Sequence, residues 1–412
     1  MAVDFRKIAL SSLYLYIASL YTLAYDARLN LISKALFVFT IGFFCLHLIT
    51  NPRINRGKIY GFFIVYTLYS TASCFWSTDF AIAFSRNISL YQILLLVFMI
   101  YNLIENVQEI EGVFIGIFWG TMIMCGQTIL KYGLGTVINM MAKGKRLGTE
   151  INQANAFGYY CVIAFIIGIY NVLYKKKKIY LLWAMVPFVF SFASGSRKSI
   201  VVIIAATALI FALRNGKIRL SRILIALAVC VALFAILYNI EGLQPFFKRF
   251  TAMLEMFDSG DMGKGDNSIA SRVNMIEFGM DLFKKNFLFG YGTEQYNVLY
   301  EMEYGVMRPA HNNYIQYLVS FGVVGTSVFY GMYAYILAKT YKNIKKKDLI
   351  AIFIFVIIIV ELINHLTTGV FLNKFAHIYL ALAFAYCNLA EKNENEKEEQ
   401  KELVEEFSEK SK

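Results

Sequence analysis

Long runs of apolar residues, separated by short polar segments, dominate this chain. A run of about 18 residues or more is long enough to cross the hydrocarbon core of a bilayer as a helix. No barrel-type alternation of apolar and polar positions is visible, so a helical bundle satisfies the backbone in lipid. The pattern predicts about twelve transmembrane helices, at residues 8–25, 31–50, 59–76, 89–105, 111–131, 155–174, 179–194, 199–213, 223–240, 314–338, 349–369 and 374–390.

One long polar segment, residues 241–313, interrupts this pattern between the ninth and tenth predicted helices. It divides the chain into transmembrane helices 1–9 (residues 1–240), a large extracytoplasmic loop, helices 10–12 (residues 314–390) and a charged cytoplasmic tail (residues 391–412). We expect the loop to cover a site at the outer face of the membrane.

The basic residues indicate the orientation of the bundle. With the N-terminus inside, the cytoplasmic loops are 51–58, 105–112, 175–178, 214–222 and 339–347, and four of these five are strongly basic. This distribution follows the positive-inside rule. We therefore predict a multi-pass protein of the cytoplasmic membrane with both termini in the cytoplasm.

Composition agrees with this class. The chain is 58% hydrophobic and 17% charged, with a mean hydropathy of +0.54, whereas soluble domains carry about a quarter charged residues. The net charge of +12 is concentrated in loops beside apolar runs, so no nucleic-acid partner is expected. The six cysteines form no CxxC pair, which gives no indication of a disulfide framework or a zinc site.

Arg197 is the clearest single candidate for chemistry. It lies in FASGSRKSI between two apolar runs, on the side where short loops usually avoid cations. Its side chain either extends to the membrane interface or binds an anion, because the planar guanidinium group suits phosphate oxygens. Ser194, Ser196 and the backbone of Gly195 can add donors at a helix end.

Arg272 and Arg146 lie on the same predicted side of the membrane as Arg197. Each one alone is also explained as a solvated surface residue. Together the three arginines suit a lipid-linked pyrophosphate, which lies at the membrane surface and needs two or more cations. Tyr291 and Tyr296 are further candidates, because tyrosine rings can stack on sugars.

His311 opens a predicted helix directly after the polar segment, at the head of HNNY. A histidine there can accept a proton near neutral pH; the alternative is a polar residue that only begins the helix. If His311 is not the base, the next candidates are the carboxylates of Glu277, Glu294 and Glu361. Glu361 also lies one helical turn before His365, and we favour a buried contact between these two.

These motifs have a known order. The run GDNSIASRVNMIEFGMDLFKKNFLFGYGTEQY, followed by HNNYIQYLVSFGVVGT, resembles the signature region of the O-antigen ligase and polysaccharide polymerase family. The matching residues are Arg272, Gly290, Gly292, His311, Asn312, Tyr314, Gly322 and Gly325. RLGTEINQANAFG at 146–158 and SGSR at 194–197 are also similar. The family's usual proline is absent from Gln153-Ala154-Asn155, so no role for Asn155 is carried over.

The resemblance implies a metal-independent membrane glycosyltransferase that needs no cofactor. Its donor would be a glycan linked to polyprenyl pyrophosphate, and its acceptor a second glycan. Arg197, Arg272 and Arg146 would bind the pyrophosphate and His311 would be the catalytic base. Ser196, Asn312, Tyr314, Gly290 and Gly292 would support them.

The resemblance leaves the acceptor open. The interpretation we favour is polymerisation of lipid-linked repeat units into a capsule, an exopolysaccharide or O-antigen. A flippase and a chain-length regulator are then candidate partners. The alternative is a ligase that transfers the glycan to a lipid core. A flippase for lipid-linked sugars is the alternative from a different class, although the sequence has no clear internal repeat of the kind many transporters show.

Overall fold

The structure, a computed structural model, describes residues 4–23, 28–143, 145–148, 153–214, 216, 221, 224, 225, 228 and 267–410. These residues contain helices and no strand. We number the helices in chain order: α1 Phe5–Thr22, α2 Asn30–Thr50, α3 Ile59–Ser73, α4 Phe80–Leu103, α5 Val107–Tyr132, α6 Leu134–Ala142, α7 Ala154–Leu173, α8 Ile179–Ala193, α9 Arg197–Leu213, α10 Asn267–Lys285, α11 Gln295–Tyr304, α12 Asn313–Lys345, α13 Leu349–His365 and α14 Lys374–Lys410.

Five of these helices, α2, α4, α5, α7 and α12, are long and apolar enough to cross a membrane. The helices α8 and α13 are apolar but shorter. The predicted all-helical membrane class is therefore supported within the described residues, whereas the number twelve stays a prediction. The ninth predicted span, residues 223–240, and the first part of the predicted loop, 241–266, lie largely or wholly outside the described residues.

The positions of the helices follow from which surfaces are apolar. On α7 most of the apolar window is buried inside the protein, whereas on α2 only 22% of it is buried. Apolar residues of α2 such as Val38 and Ile49 are exposed, as expected for side chains that face lipid rather than water. Helix α7 is thus central in the bundle and α2 is peripheral.

Ion pairs gather at one end of the bundle. Glutamates between α4 and α5, in the first turns of α5 and in the middle of α14 neutralise cations of the predicted cytoplasmic loops and of the first turn of α1. The pairs are Arg6–Glu105 at 2.9 Å, Arg6–Glu109 at 2.6 Å, Lys175–Glu111 at 2.7 Å, Lys339–Glu391 at 2.5 Å and Lys342–Glu394 at 3.0 Å. The predicted basic loops that these pairs reach therefore share one end of the molecule.

Three regions contain more helix than the sequence pattern indicates. The segment after α5, expected to be a loop, contains α6, and the described part of the large loop contains α10 and α11. The tail after residue 390 continues α14 as helix to Lys410. Because helix formation in these polar stretches depends on local propensity and packing, hydropathy alone does not reveal it.

Helix α12 is broken in its first half. At Gly322 the backbone has φ 59° and ψ −166°, which no α-helix contains. The turn 287–292, which carries the two glycines of FGYG, inserts at this break and pairs with the backbone groups that the break leaves without partners. The hydrogen bonds are Tyr291 N to Val319 O at 2.8 Å, Gly292 N to Ser320 O at 2.8 Å, Val323 N to Phe287 O at 2.8 Å and Val324 N to Leu288 O at 3.2 Å.

Glycine is required on both sides of this junction. Gly290 has φ 69°, and a Cβ there would lie 2.6 Å from the backbone nitrogen of Gly322. A Cβ at Gly322 would lie 2.2 Å from the carbonyl oxygen of Leu288. These obstacles are backbone atoms that hydrogen bonds hold in place, so neither position has room for a side chain.

We expect Gly322→Ala to destabilise the protein by about 3 kcal/mol or more, because it adds left-handed backbone strain to a backbone clash. The matched control is Gly331→Ala in the same helix, where a Cβ meets only a ring carbon of Phe62 at 3.7 Å. That control should change stability by no more than about 1 kcal/mol. The measurement is the thermal midpoint of both variants in detergent. Equal midpoints for Gly322→Ala and the wild type would show that the break is not required.

Candidate functional site

A cavity of about 430 Å³ opens at the end of the bundle opposite the ion pairs. The starts of α4, α7, α9 and α12, the end of α13 and the segments flanking α11 contribute its walls. The polar side chains that line it include Arg86, Gln153, Asn155, Lys198, Arg272, Glu294, Asn297, His311, Gln316 and Asn364. The cavity therefore brings together residues that are far apart in the sequence.

The four residues of the HNNY motif have two different positions: three of them anchor the start of α12, and one faces the cavity. The side chain of Asn312 caps α12 by accepting a hydrogen bond from Ile315 N at 3.2 Å. Asn313 donates to Tyr330 Oη at 3.0 Å and accepts from Val370 N at 2.8 Å. The Tyr314 hydroxyl donates to the carbonyl of Leu362 at 3.0 Å and its ring stacks on Tyr330. The three residues after His311 thus fix the start of α12, while His311 lines the cavity.

The pKa of His311 is lowered below its usual value. Burial disfavours the charged imidazolium, and the guanidinium groups of Arg272 and Arg308 repel it. A lowered pKa keeps the imidazole neutral at physiological pH, which is the form that accepts a proton.

Three cations line the cavity: Arg86 of α4, Lys198 of α9 and Arg272 of α10. The ammonium of Lys198 donates to Asn364 Oδ1 at 2.6 Å and to Thr368 Oγ1 at 3.0 Å. Arg272 is near enough to interact electrostatically with both Lys198 and His311. The predicted cation of SGSRKS was Arg197, but the described residue of that motif that lines the cavity is Lys198; Arg197 is half-buried at the start of α9.

Arg146 lies behind the cavity wall rather than in it. Its Nε donates to the carbonyl of Ser194 at 3.1 Å and its Nη2 to Asn155 Oδ1 at 2.5 Å. Arg146 therefore joins the turn between α8 and α9 to the first residues of α7. Asn155, for which the altered motif carried no role, is the partner of this arginine and itself lines the cavity.

Ser196 occupies the N-cap position of α9 without making the usual side-chain cap. Its hydroxyl is buried and has no hydrogen-bond partner among the described residues. A buried hydroxyl without a partner at a helix N-terminus is a donor that an anion can use.

Glu294 is the carboxylate of the described cavity wall. Its neighbours Thr293 and Gln295 are fully buried and hold the chain by hydrogen bonds to Ser73 Oγ at 3.1 Å and to Asp79 N at 2.7 Å. Gln316 Nε2 donates to Glu294 Oε1 at 2.9 Å. Burial raises the pKa of the Glu294 carboxyl, and the nearby Arg86 guanidinium partly opposes this shift.

Glu294 and His311 share an unusual backbone conformation. Among the described residues, four that are not glycine have positive φ: Lys176, Glu294, His311 and Lys347. Two of these four line one cavity. Left-handed backbone at non-glycine residues costs of order 1–3 kcal/mol and tends to gather where function requires it. No local sequence pattern indicates this strain, because it depends on how the surrounding segments are anchored.

Exposed aromatic side chains surround the Arg86 side of the cavity. They are Phe75, Trp76, Phe80, Phe84, Phe287 and Phe289. Trp76 packs edge-on against Phe289 at 6.4 Å, and Phe80 stacks on Phe84 at 5.8 Å. Five of these six side chains are phenylalanines, and an exposed apolar surface of this kind suits contact with lipid.

Side-chain contacts test two further predictions, for Glu361 with His365 and for Tyr296. The buried contact between Glu361 and His365 is confirmed, with 3.4 Å between Oε1 and Nε2, and the Tyr159 hydroxyl donates to the other Glu361 oxygen. Tyr296 is fully buried and donates to the carbonyl of Met275 at 2.6 Å, so its ring is not available to stack on a sugar. Within the described part of the chain, no three His, Cys, Asp or Glu residues gather as a metal site.

The chemistry that this arrangement permits is specific. Lys198 and Arg272 can hold a polyanion and stabilise charge that develops on it, since fixed cations in a partly dry site need little reorganisation. A neutral His311 beside them can take a proton from a hydroxyl group. Together they suit the transfer of a group from a phosphate leaving group to an alcohol at the surface of a membrane.

Comparison with known proteins agrees with this chemistry. Residues 181–330 match the sequence model of the family described as O-Antigen ligase. This stretch includes Lys198, Arg272, Glu294, His311 and the break at Gly322. The teichuronic acid biosynthesis protein TuaE of Bacillus subtilis (strain 168) is 24% identical over 426 residues, which cover 91% of this chain and 85% of the relative. The resemblance drawn from the motifs is confirmed, since the signature run lies within the residues that match the O-antigen ligase family model, and the two comparisons support a role in the synthesis of cell-surface polysaccharide.

Proposed function

We propose that this protein polymerises oligosaccharide repeat units, linked to polyprenyl pyrophosphate, into a surface polysaccharide at the outer face of the cytoplasmic membrane. The observation that carries the proposal is the convergence of Arg272, Lys198 and His311 on one cavity. A lipid-linked pyrophosphate can enter such a site from the bilayer while its glycan stays in water.

The reaction balances with the residues at hand. A hydroxyl oxygen of the acceptor attacks the anomeric carbon of the donor sugar, and the bond from that carbon to the pyrophosphate oxygen breaks. Polyprenyl pyrophosphate leaves with one additional negative charge, which Arg272 and Lys198 stabilise. The proton of the acceptor hydroxyl passes to His311. Ser196, in the turn between α8 and α9, offers a further donor for the pyrophosphate, and Arg197 and Arg146 add positive charge from beside the cavity.

The relative favours a polymerase. TuaE is named for teichuronic acid biosynthesis, which fits a protein that builds a polymer. The family description, O-Antigen ligase, favours the alternative in which the glycan is passed to a lipid core. Product analysis separates the two, because a polymerase yields a ladder of longer lipid-linked chains and a ligase yields glycan on the core lipid. For a polymerase, a flippase and a chain-length regulator are the proposed partners.

We expect Lys198→Gln and Arg272→Gln each to lower the rate of chain elongation about 10²–10³-fold, the usual effect of removing one fixed group that stabilises developing charge. The control is Lys284→Gln, an exposed cation on the same helix as Arg272 that pairs with Asp281 at the surface. Elongation is measured on purified protein with lipid-linked repeat units. Near-normal product lengths in both variants, at matched protein level, would rule out the anion site.

Arg197 is tested separately from its neighbour. We expect Arg197→Ala to abolish elongation although the protein still inserts, and Arg197→Lys to recover only part of the rate because the planar fork is lost. If Arg197→Ala elongates normally while Lys198→Gln does not, Lys198 alone supplies the cation from this turn.

The role of His311 predicts a pH dependence. The base must be neutral, so the rate should fall as the pH drops through the pKa of His311, which lies below its usual value near 6.5. We expect His311→Ala to leave single repeat units on the carrier, with the donor still bound, and to remove this acid limb from the residual rate. An unchanged acid limb in the variant would assign it to another group, with Glu294, the carboxylate of the described cavity wall, as the next candidate.

The proposed orientation predicts which residues an impermeant thiol reagent reaches in intact cells. Glu303→Cys, exposed on α11 near the cavity, should react from outside, whereas Lys177→Cys, exposed in a basic loop, should react only after lysis. The parent chain is the control, because Cys45 is exposed. The reverse pattern would invert the bundle and exclude an outer-face site.

A further inference from the structure

We propose that Glu294, Asn297 and Gln316 form a subsite that binds the hydroxyl groups of the acceptor sugar. The proposal rests on the proposed glycosyl transfer and names the part of the cavity that selects the acceptor.

Three side-chain oxygens on this wall lack a donor among the described residues. Asn297 Oδ1 and Gln316 Oε1 are buried without a hydrogen-bond partner, and Glu294 Oε2 makes no hydrogen bond to a described residue, since Gln316 uses Oε1. All three residues line the same cavity. Buried acceptor oxygens need O–H or N–H donors, so this wall suits a ligand that carries several hydroxyl groups.

The orientation of Gln316 is fixed by its neighbours. Its amide nitrogen must face Glu294, because only that end of the amide can donate to a carboxylate. Its oxygen then points away from Glu294. A Cβ at Gly369 would lie 3.1 Å from this oxygen, so a side chain at residue 369 would crowd it. Gln316 itself is 4% exposed.

The negative charge of Glu294 determines which of the two substrates binds at this wall of the cavity. A carboxylate repels a pyrophosphate, so the wall at Glu294 does not suit the leaving group. The cations divide in the same way: Arg272 interacts with Lys198 and His311, whereas Arg86 is the cation that acts on Glu294. The leaving group therefore fits the Lys198 and Arg272 side, and the attacking sugar, which must approach from the other side of the anomeric carbon, fits the Glu294 side.

Glu294 is also held rigidly enough to select a sugar. Its left-handed backbone, with φ 57° and ψ 24°, is fixed between two fully buried residues, Thr293 and Gln295. Asn87 and Ser70 add hydrogen bonds to the Thr293 hydroxyl at 3.1 Å each. A preorganised carboxylate loses little freedom when a hydroxyl binds, so it discriminates well between acceptors.

The test uses the purified full chain in lipid nanodiscs. The donor is a lipid-linked repeat unit whose own acceptor hydroxyl is methylated, and the acceptor is the unmodified repeat unit on a short prenyl chain. We expect Glu294→Gln to raise the acceptor KM about 10- to 100-fold, the size of one hydrogen bond to a charged group. The donor KM and the slow hydrolysis of the donor should stay near the wild-type values. Asn297→Ala should change the acceptor KM in the same direction, and Glu301→Gln, exposed on α11, should leave it unchanged.

A second measurement is independent of turnover. The same oligosaccharide, released from its carrier, is titrated against the protein by calorimetry, and Glu294→Gln should weaken its binding about 10-fold or more. Wild-type protein that binds the glycan but never elongates it would support the subsite and overturn the proposed function. The subsite itself is overturned if wild type and Glu294→Gln bind the glycan equally or not at all. It is equally overturned if the substitution lowers kcat and removes the acid limb while the acceptor KM stays constant, because Glu294 would then be the base.

Discussion

The pairing of backbone groups at the break in α12 is the constraint on which the site depends. Inside a membrane, an N–H or C=O group without a partner costs several kcal/mol, so a helix can break only where another segment replaces the lost hydrogen bonds. The turn 287–292 does this at Gly322. The junction joins the large polar segment to α12, and both Glu294, which follows the turn, and His311, which precedes the helix, are positioned by it.

Charge is distributed so that the two ends of the bundle serve different purposes. At the end with the predicted cytoplasmic loops, lysines and Arg6 are neutralised by glutamates of the chain itself. At the cavity end, Lys198 is held by the neutral groups of Asn364 and Thr368. A cation whose hydrogen-bond acceptors are neutral keeps its field for a ligand, which is the electrostatic requirement for a site that receives a pyrophosphate.

Glu294 lies in the same cavity as Lys198 and Arg272, but the described structure shows no ion pair between Glu294 and either cation. Instead Glu294 is held by Gln316, and Arg86 acts on it from the exposed end of α4. The separation lets one cavity present a positive wall to a leaving group and an oxygen-rich wall to a hydroxyl group. Such a division is what transfer between two sugar substrates needs, because their charged and neutral parts must be told apart.

The sequence by itself determined the class of protein, the order of the motifs and most of the long apolar helices. Hydropathy is a local property that adds up along a run of residues, so the apolar runs identify helices before any packing is known. The glycines of FGYG and the HNNY motif could also be recognised in the sequence, because a left-handed turn and a helix cap depend on a few adjacent residues. His311 and Arg272 were found in this way.

Only the tertiary structure decided which side chains share the cavity. Adjacent residues on a helix point about 100° apart, so the rotation of α9 decides that Lys198 rather than Arg197 lines the wall. Glu294 gains its position from a strained backbone that Thr293 and Gln295 hold against α3 and α4, and no local pattern encodes that anchoring. Arg86, Glu294 and Gln316 come from distant parts of the chain, and they meet because the packing of the whole bundle brings their helix ends together.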